Sequence, residues 1–176
     1  MTSTDPATSQ PRPQLTPEEL EKVREVFQWA RSGNPLLIQL MEQGWPPNLM
    51  NDAGDSLLML AAYHGHADVA RALLKAGGDP SRVNDRGQTP LAGACFKGDV
   101  AMVRLLLEHG AAVDQRLPDG KTAMAFAAMF NRVEVIELLL ANGADAVARD
   151  HQGLAPIDLA RKTNAEDAVR RLAEAG

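Results

Sequence analysis

The chain has 176 residues, of which 23% are charged, and a formal net charge of −5 at pH 7. An acidic chain of this ordinary charge content lacks the basic surface that nucleic acids and anionic membranes attract, so we expect neither as a partner. It contains no apolar run of membrane-spanning length, shows no secretory signal, and has one cysteine, which cannot form an internal disulfide. These features favour a cytoplasmic protein.

The N-terminal region predicts a tail followed by two helices. Residues 1–15 are polar and rich in proline, without apolar periodicity, and predict a disordered tail. The sequence TPEE at 16–19 is a capping box that begins a helix, and Pro35 begins a second helix that ends at Gly44. We therefore expect residues 16–50 to form an N-terminal capping unit.

Two series of glycines, each with a spacing of 33 residues, organise the rest of the chain. A glycine at a fixed phase marks a backbone position that needs positive φ, so two series predict two turns in each repeat. A period of this length is typical of stacked helical units. We predict repeats at 51–83, 84–116 and 117–149 and a C-terminal capping repeat at 150–176. The two series are Gly54, Gly87, Gly120 and Gly153, and Gly77, Gly110, Gly143 and Gly176.

Each repeat predicts a short first helix followed by an amphipathic second helix. Ser56, Thr89 and Thr122 can cap the first helix through their hydroxyl groups, whereas Ala155 cannot. Three positions of the first helix recur with apolar or small residues and are expected to face inward: Leu58, Leu91, Met124 and Ile157; Leu60, Gly93, Phe126 and Leu159; and Ala61, Ala94, Ala127 and Ala160.

Substitutions in the later repeats mark turns and the end of the array. Asn131 and Asn164 stand where Gly65 and Gly98 end the first helix, and asparagine tolerates a left-handed turn better than other non-glycine residues. In the last second helix, Arg171 replaces a leucine. We expect a polar outer face there, because a terminal repeat has no neighbour to bury against.

The repeats resemble the ankyrin repeat family in three stretches: QTPLAGA at 88–94, GHADVARALLKAGGD at 65–79 and LLLANGAD at 138–145. The resemblance implies an all-α solenoid of about five helix-turn-helix units with short β-turn or loop tips. It also implies a protein that binds another protein. The histidine of the family's TPLH motif is absent, and with it a hydrogen bond between repeats, since its position holds Met59, Ala92, Ala125 and Asp158.

Aromatic residues are few but aligned. Tyr63, Phe96 and Met129 share one phase, Phe130 follows directly, and Trp29 falls close to the same column in the N-terminal unit. The resemblance implies that this column lies on the exposed side of the first helices and lines a concave groove. Apolar residues on such a face are typical of a binding patch. The alternative is that the rings only cover the core from its rim.

Charged residues at the predicted loop tips form a weak gradient. Acidic residues such as Asp55 and Asp85 lie toward the N-terminal repeats, and basic residues such as Arg86, Lys97 and Lys121 lie toward the middle. Such charges could orient a partner without adding much affinity. The predicted partner-binding residues are Trp29, Asp55, Tyr63, His64, Asp85, Arg86, Gln88, Phe96, Lys97, Lys121, Met129 and Phe130.

The sequence offers little for catalysis or metal binding. Cys95 lies at the phase of small residues and is expected in the core. His64 and His66 could begin a metal site, but no cluster of further ligands accompanies them. There is no nucleophile elbow, phosphate-binding loop or dinucleotide fingerprint. We expect no enzyme activity, no cofactor and no bound metal.

Two hypotheses for function remain open. The first is a monomeric protein-interaction module that binds a protein partner through its groove and loop tips. The second is an accessory or chaperone-like protein for a specific bacterial enzyme such as a catalase, by analogy with small free-standing bacterial ankyrin proteins of similar size. The sequence does not identify the partner under either hypothesis.

Overall fold

A computed structural model describes residues 16–175 of the chain. The predicted tail at 1–15 and the glycine at position 176 lie outside these described residues. Over the described range the chain forms ten helices: α1 Pro17–Ser32, α2 Leu36–Glu42, α3 Leu57–Tyr63, α4 Ala67–Lys75, α5 Pro90–Lys97, α6 Val100–Glu108, α7 Ala123–Met129, α8 Val133–Ala141, α9 Pro156–Lys162 and α10 Glu166–Ala173.

The helices pair and stack in two layers. Helices α1, α3, α5, α7 and α9 pack successively against one another and form the first layer, while α2, α4, α6, α8 and α10 form the second layer in the same way. Within residues 16–175, extended pairing is limited to one antiparallel bridge between Met50 and Ser56. The expected all-α solenoid of five helix pairs is thus confirmed. No helix in the described range is long and apolar enough to cross a bilayer.

Side chains cap most of the first-layer helices. The predicted capping box is present at Thr16, and the Thr89 hydroxyl accepts from the Ala92 N–H at 3.2 Å. The prediction for Thr122 was wrong: its hydroxyl oxygen is buried and has no hydrogen-bond partner among the described residues. Helix α9 begins at Ala155 without a capping side chain, and there the Asp158 carboxylate accepts from the Ala155 N–H at 3.1 Å.

The predicted turns have the expected backbone conformation. The glycines of both series within the described range have positive φ. Asn131 and Asn164 also have positive φ, at 53° and 56°, and confirm that asparagine takes the place of glycine there. The turn at the start of each later repeat is therefore fixed by local residues.

The core follows the predicted inward rows with three exceptions, one of which is Gly93, because it is only half-buried. The four alanines of the third row are fully buried, which lets adjacent first-layer helices pack closely. Ile157 is only half-buried. Phe126, expected to face inward, is also half-buried: it packs against the core with one part of its surface and lines a surface pocket with another.

Candidate functional site

A pocket of about 320 Å³ lies between α3 and α5 in the first layer. None of its lining residues belongs to a second-layer helix. We call it the Gly93 pocket. Its volume is at the lower end of the range of about 300–1,000 Å³ that is typical of ligand sites. It brings together six of the predicted binding residues. The lining residues are Arg31, Asp55, Met59, Leu60, Tyr63, His64, Arg86, Gln88, Thr89, Gly93 and Phe96.

Glycine 93 creates the space. The equivalent position of the flanking repeats holds Leu60 and Phe126, which carry large side chains. A Cβ built on Gly93 has Tyr63 Cδ2 as its nearest neighbour, at the ordinary contact distance of 3.6 Å. Gly93 lies inside α5 and is not among the residues of positive φ, so no backbone angle requires glycine. Its contribution is the missing side chain.

Three aromatic rings from successive repeats form a continuous row beside the pocket. Tyr63 and Phe96 are nearly parallel, with ring centroids 6.2 Å apart. Phe130 meets Phe96 edge-to-face at a centroid distance of 4.4 Å. Tyr63 and Phe130 each keep 40% of their surface exposed. We call Tyr63, Phe96 and Phe130 the aromatic row, because a partner could contact all three rings at once.

Two members of the expected column differ from this row. Met129 is half-buried at the end of α7, and the next residue, Phe130, makes the contact with Phe96. Trp29 is half-buried and packs against the core, and none of the ring pairs within residues 16–175 includes it. Arg31, two residues later, reaches the pocket instead. The irregular length of α1 displaces the phase by which Trp29 was assigned.

An acidic group and an arginine line the pocket at its loop-tip end. Asp55 is buried, and its Oδ1 accepts from Asn84 Nδ2 at 2.7 Å and from Arg86 at 3.3 Å. Asn51 Nδ2 donates to Asp55 Oδ2 at 3.4 Å. The Arg86 side chain nevertheless remains 68% exposed. Asp55 therefore contacts Arg86 and leaves most of the arginine side chain exposed.

Further cations surround the pocket. Lys97 Nζ lies 5.1 Å from the centroid of the Tyr63 ring, within the range of a cation–π contact. His66 Nε2 donates to the Arg31 backbone carbonyl at 2.8 Å and ties the end of α1 to the second repeat. Partial burial, followed by the positive charges of His66, Lys97 and Arg31, lowers the pKa of His64. The cationic side chains Arg31, Arg86 and Lys97 thus line the pocket or lie beside it.

The remaining predicted residues lie at the tips. Asp85 is exposed, and its N–H donates to the Ala53 carbonyl at 3.2 Å. Lys121 belongs to the next tip, where its Nζ lies 2.8 Å from Asp119 and 3.8 Å from Asp150. A second pocket of about 270 Å³ adjoins the first and shares Arg86 and Gln88 with it. Its lining residues are Arg86, Gly87, Gln88, Pro118, Asp119 and Phe126.

The groups considered for chemistry have structural surroundings. Cys95 is fully buried, as predicted, and burial raises the pKa of its thiol far above the ordinary range. His64 and His66 stack with ring centroids 6.3 Å apart. Among residues 16–175, no group of three or more histidine, cysteine or carboxylate side chains is arranged to hold a metal ion. The side chains around the Gly93 pocket are suited to binding through apolar contacts and charged groups.

Sequence reasoning missed part of the pocket lining. Arg31 and Met59 were not assigned to it, and Gly93 was noted only as a small member of an inward row. The departure of Gly93 from the leucine and phenylalanine at its phase was the available signal. For Arg31 the available signal was its distance from the glycine that ends the helix: it precedes Gly33 by two residues, as Tyr63 precedes Gly65 and Phe96 precedes Gly98.

Comparison with known proteins agrees with the repeat geometry. A family model described as ankyrin repeats in three copies matches residues 26–117, and another for ankyrin repeats in many copies matches 106–160. The chain belongs to the ankyrin repeat family. An ankyrin repeat protein of Pseudomonas aeruginosa is 58% identical over 65 residues, 36% of this chain. The chain spans only 38% of that relative's length. Ankyrin repeats generally mediate protein–protein contacts and are typically non-catalytic.

Proposed function

We propose that this ankyrin repeat protein binds a protein partner through the Gly93 pocket, the aromatic row and the adjacent loop tips. The observation that carries the proposal is the aromatic row. Three rings from three successive repeats touch in sequence, and the two outer rings are 40% exposed. Apolar surface that is continuous and accessible to a partner is typical of protein interfaces.

The energetics favour these rings as anchors. Buried aromatic residues near the centre of an interface commonly account for most of its affinity, at about 2 kcal/mol or more each on truncation. Phe96 lies between Tyr63 and Phe130 and lines the pocket together with Tyr63. A partner that covers the row would therefore remove all three rings from water at one place.

The test is capture of partners from a lysate of the source cell, compared with thermal stability. We expect the double substitution Tyr63→Ala and Phe96→Ala to weaken capture about a hundredfold or more, if the two losses add even roughly. The matched control is Leu20→Ala with Val147→Ala, which removes exposed apolar side chains outside the pocket. The control should leave capture unchanged.

Two outcomes would contradict the proposal. Undiminished capture by the Tyr63/Phe96 variant would move the binding surface elsewhere, with the tips at Asp85, Arg86 and Lys121 as the next candidates. A collapsed melting transition in that variant would mean that the rings serve the core. Lost capture with a retained melting transition supports the proposal.

The same experiment addresses the narrower alternatives. The proposal treats the chain as a monomeric, cytoplasmic binding protein without catalytic activity or cofactor. If the captured protein were a single oxidoreductase such as a catalase, the accessory hypothesis would replace that of a general adaptor. Retention of that enzyme's activity during heating, measured with and without this chain, would then show whether the role is chaperone-like.

A further inference from the structure

The inference concerns the chemistry of the partner and rests on the proposed function. We infer that the partner presents an acidic segment whose large apolar side chain fills the space over Gly93, with flanking carboxylates bound by Arg31 and Arg86. The occupant is thus a stretch of another protein that combines one apolar anchor with neighbouring aspartate or glutamate residues.

The shape of the pocket calls for a single large side chain. Its floor and walls are apolar at Met59, Leu60 and Phe96, and Tyr63 closes one side. Glycine inside a helix destabilises it relative to alanine, and no backbone angle at Gly93 requires glycine. The flanking repeats fill the same position with a leucine or a phenylalanine of their own. A partner side chain of that size would restore this packing between α3 and α5.

The charges of the margin select the flanking residues. Arg31 and Arg86 both line the pocket, and Lys97 lies beside it over the Tyr63 ring. Within the described residues, Asp55 is the one carboxylate that lines the pocket, and both of its oxygens already accept hydrogen bonds. The lining therefore carries two arginines against one carboxylate, although the whole chain carries a net charge of −5. Complementarity of this kind selects acidic partners and rejects basic ones.

The spacing of the cations restricts the partner sequence. Arg31 lies in the last turn of α1, whereas Arg86 belongs to the loop tip that precedes α5. An extended peptide advances about 3.4 Å per residue. Because both arginines line the same pocket as Gly93, we expect a carboxylate within about two residues of the anchor, on either side, to reach one of the two guanidinium groups.

The experiment selects a random peptide library displayed on phage against the wild-type protein, with prior depletion on the Gly93→Leu variant. Leucine at position 93 places the flanking repeats' own residue in the pocket. We expect the enriched peptides to share a phenylalanine, tryptophan or leucine with aspartate or glutamate within about two residues of it. One enriched peptide is then synthesised with a fluorescent label, and its affinity is measured by anisotropy.

Matched variants separate shape from charge. Gly93→Ala adds only a methyl group and should change the affinity by less than about threefold, whereas Gly93→Leu should lower it about tenfold or more. Arg31→Gln with Arg86→Gln should also lower it about tenfold and should weaken its dependence on salt. The control is Arg71→Gln with Arg104→Gln, which removes the same charge from exposed positions of the second layer and should have no effect.

Several outcomes would overturn the inference. The first is that the enriched peptides are basic or neutral, or that they are acidic but lack an apolar anchor. The second is that no peptide is enriched on the wild type over the Gly93→Leu protein. The third is that a peptide binds wild type and Gly93→Leu with equal affinity. Self-association that Gly93→Leu abolishes would make a second copy of the chain the occupant and would overturn it too. If Gly93→Leu fails to fold, the paired arginine variant carries the test alone.

The inference can fail while the proposed function stands. In that case the Tyr63/Phe96 variant loses capture of the cellular partner, but Gly93→Leu and the paired arginine variant keep it. If none of the three variants affects capture, the proposed function itself fails. Agreement requires that the acidic peptide compete with the cellular partner for the wild-type protein, and that a version with lysine in place of each acidic residue does not.

Discussion

The two halves of the first layer use equivalent sequence positions in opposite ways. Between α3 and α5, Gly93 leaves a pocket, and Arg86 pairs with Asp55 while keeping 68% of its side chain exposed. One repeat later, Phe126 stands at the phase of Gly93, and Asp119 stands at the phase of Arg86. Lys121, at the phase of Gln88, is only 18% exposed between Asp119 and Asp150. The comparison teaches that the repeat fold does not by itself create the proposed binding surface. That surface arises where a repeat leaves volume unfilled and cations accessible.

The tip that precedes α7 is packed more tightly against the next repeat than the tip that precedes α5. Gly87 and Gly120 occupy equivalent turns with φ of 73° and 82°, so alanine has a similar conformational cost at both. A Cβ on Gly87 would lie 3.2 Å from Pro118 Cδ, whereas one on Gly120 would lie 2.7 Å from the backbone N of His151. Proline carbons can shift slightly, but the next repeat's backbone cannot.

We therefore expect the largest effect from Gly120→Ala. Gly87→Ala should cost about 1–2 kcal/mol of unfolding free energy from its left-handed conformation. Gly120→Ala should cost about 1–3 kcal/mol more, because the added methyl group overpacks the tip. Urea denaturation of the two variants measures the difference directly. Equal losses would show that the two tips are equally tolerant and would remove this part of the comparison.

Alanine at the equivalent positions 93 and 126 should have opposite effects on stability. Phe126→Ala should cost about 2–3 kcal/mol, less than the 3–5 kcal/mol that is typical of a fully buried phenylalanine, because the ring is half-exposed. Gly93→Ala should raise stability by about 0.5–1 kcal/mol, since it only improves helix propensity. Both values come from chemical denaturation. A destabilised Gly93→Ala would mean that Tyr63 has no room to give, and that the pocket is smaller than described.

The C-terminal half should also contain a carboxylate whose protonation at low pH lowers the stability of the fold. Asp150 accepts from the Leu154 N–H at 3.0 Å and the Gln152 N–H at 2.9 Å, and with Lys121 nearby these contacts lower its pKa. A carboxyl group whose pKa falls on folding stabilises the native state fully above its unfolded pKa, about 4 for aspartate. That contribution declines as pH falls from there through the folded pKa.

The substitution Asp150→Asn removes the charge of this side chain and keeps the geometry of the tip. Asn51 and Asn84 occupy the equivalent positions and accept from two backbone N–H groups in the same manner. We expect Asp150→Asn to fold at neutral pH and to lose less melting temperature than wild type between about pH 5 and pH 3. Parallel melting curves for the two proteins over that range would show that Asp150 does not contribute to acid sensitivity.

The smallest effect on stability is expected at the end of the array. Arg171 contacts Glu137 at 3.5 Å, but the glutamate side chain is 57% exposed. Arg171→Leu should therefore change the unfolding free energy by less than about 1 kcal/mol. It should promote self-association at high concentration, seen by light scattering, because it extends apolar surface past the last repeat. Arg104→Leu, on an exposed central position, is the control. A large loss of stability without a change in mass would make Arg171 a structural residue.

The sequence by itself determined the helices, the turns and most of the core. The positive φ of Asn131 and Asn164 and the burial of the four aligned alanines followed from phase alone. These features depend on contacts close in sequence or on a period that repeats without gaps. The residues of each repeat therefore specified these features without knowledge of how the repeats pack on one another.

Only the tertiary structure decided which aligned residues face solvent and which satisfy one another. It placed Arg31 rather than Trp29 at the pocket, left the Thr122 hydroxyl without a capping role, and paired Lys121 with the Asp150 of the following repeat. The pairing of Lys121 depends on a side chain of the following repeat, and the position of Arg31 depends on the geometry of α1. A periodic pattern records which positions are equivalent. Only the packed array shows whether a neighbouring side chain already fills the space or pairs with the charge at a given position.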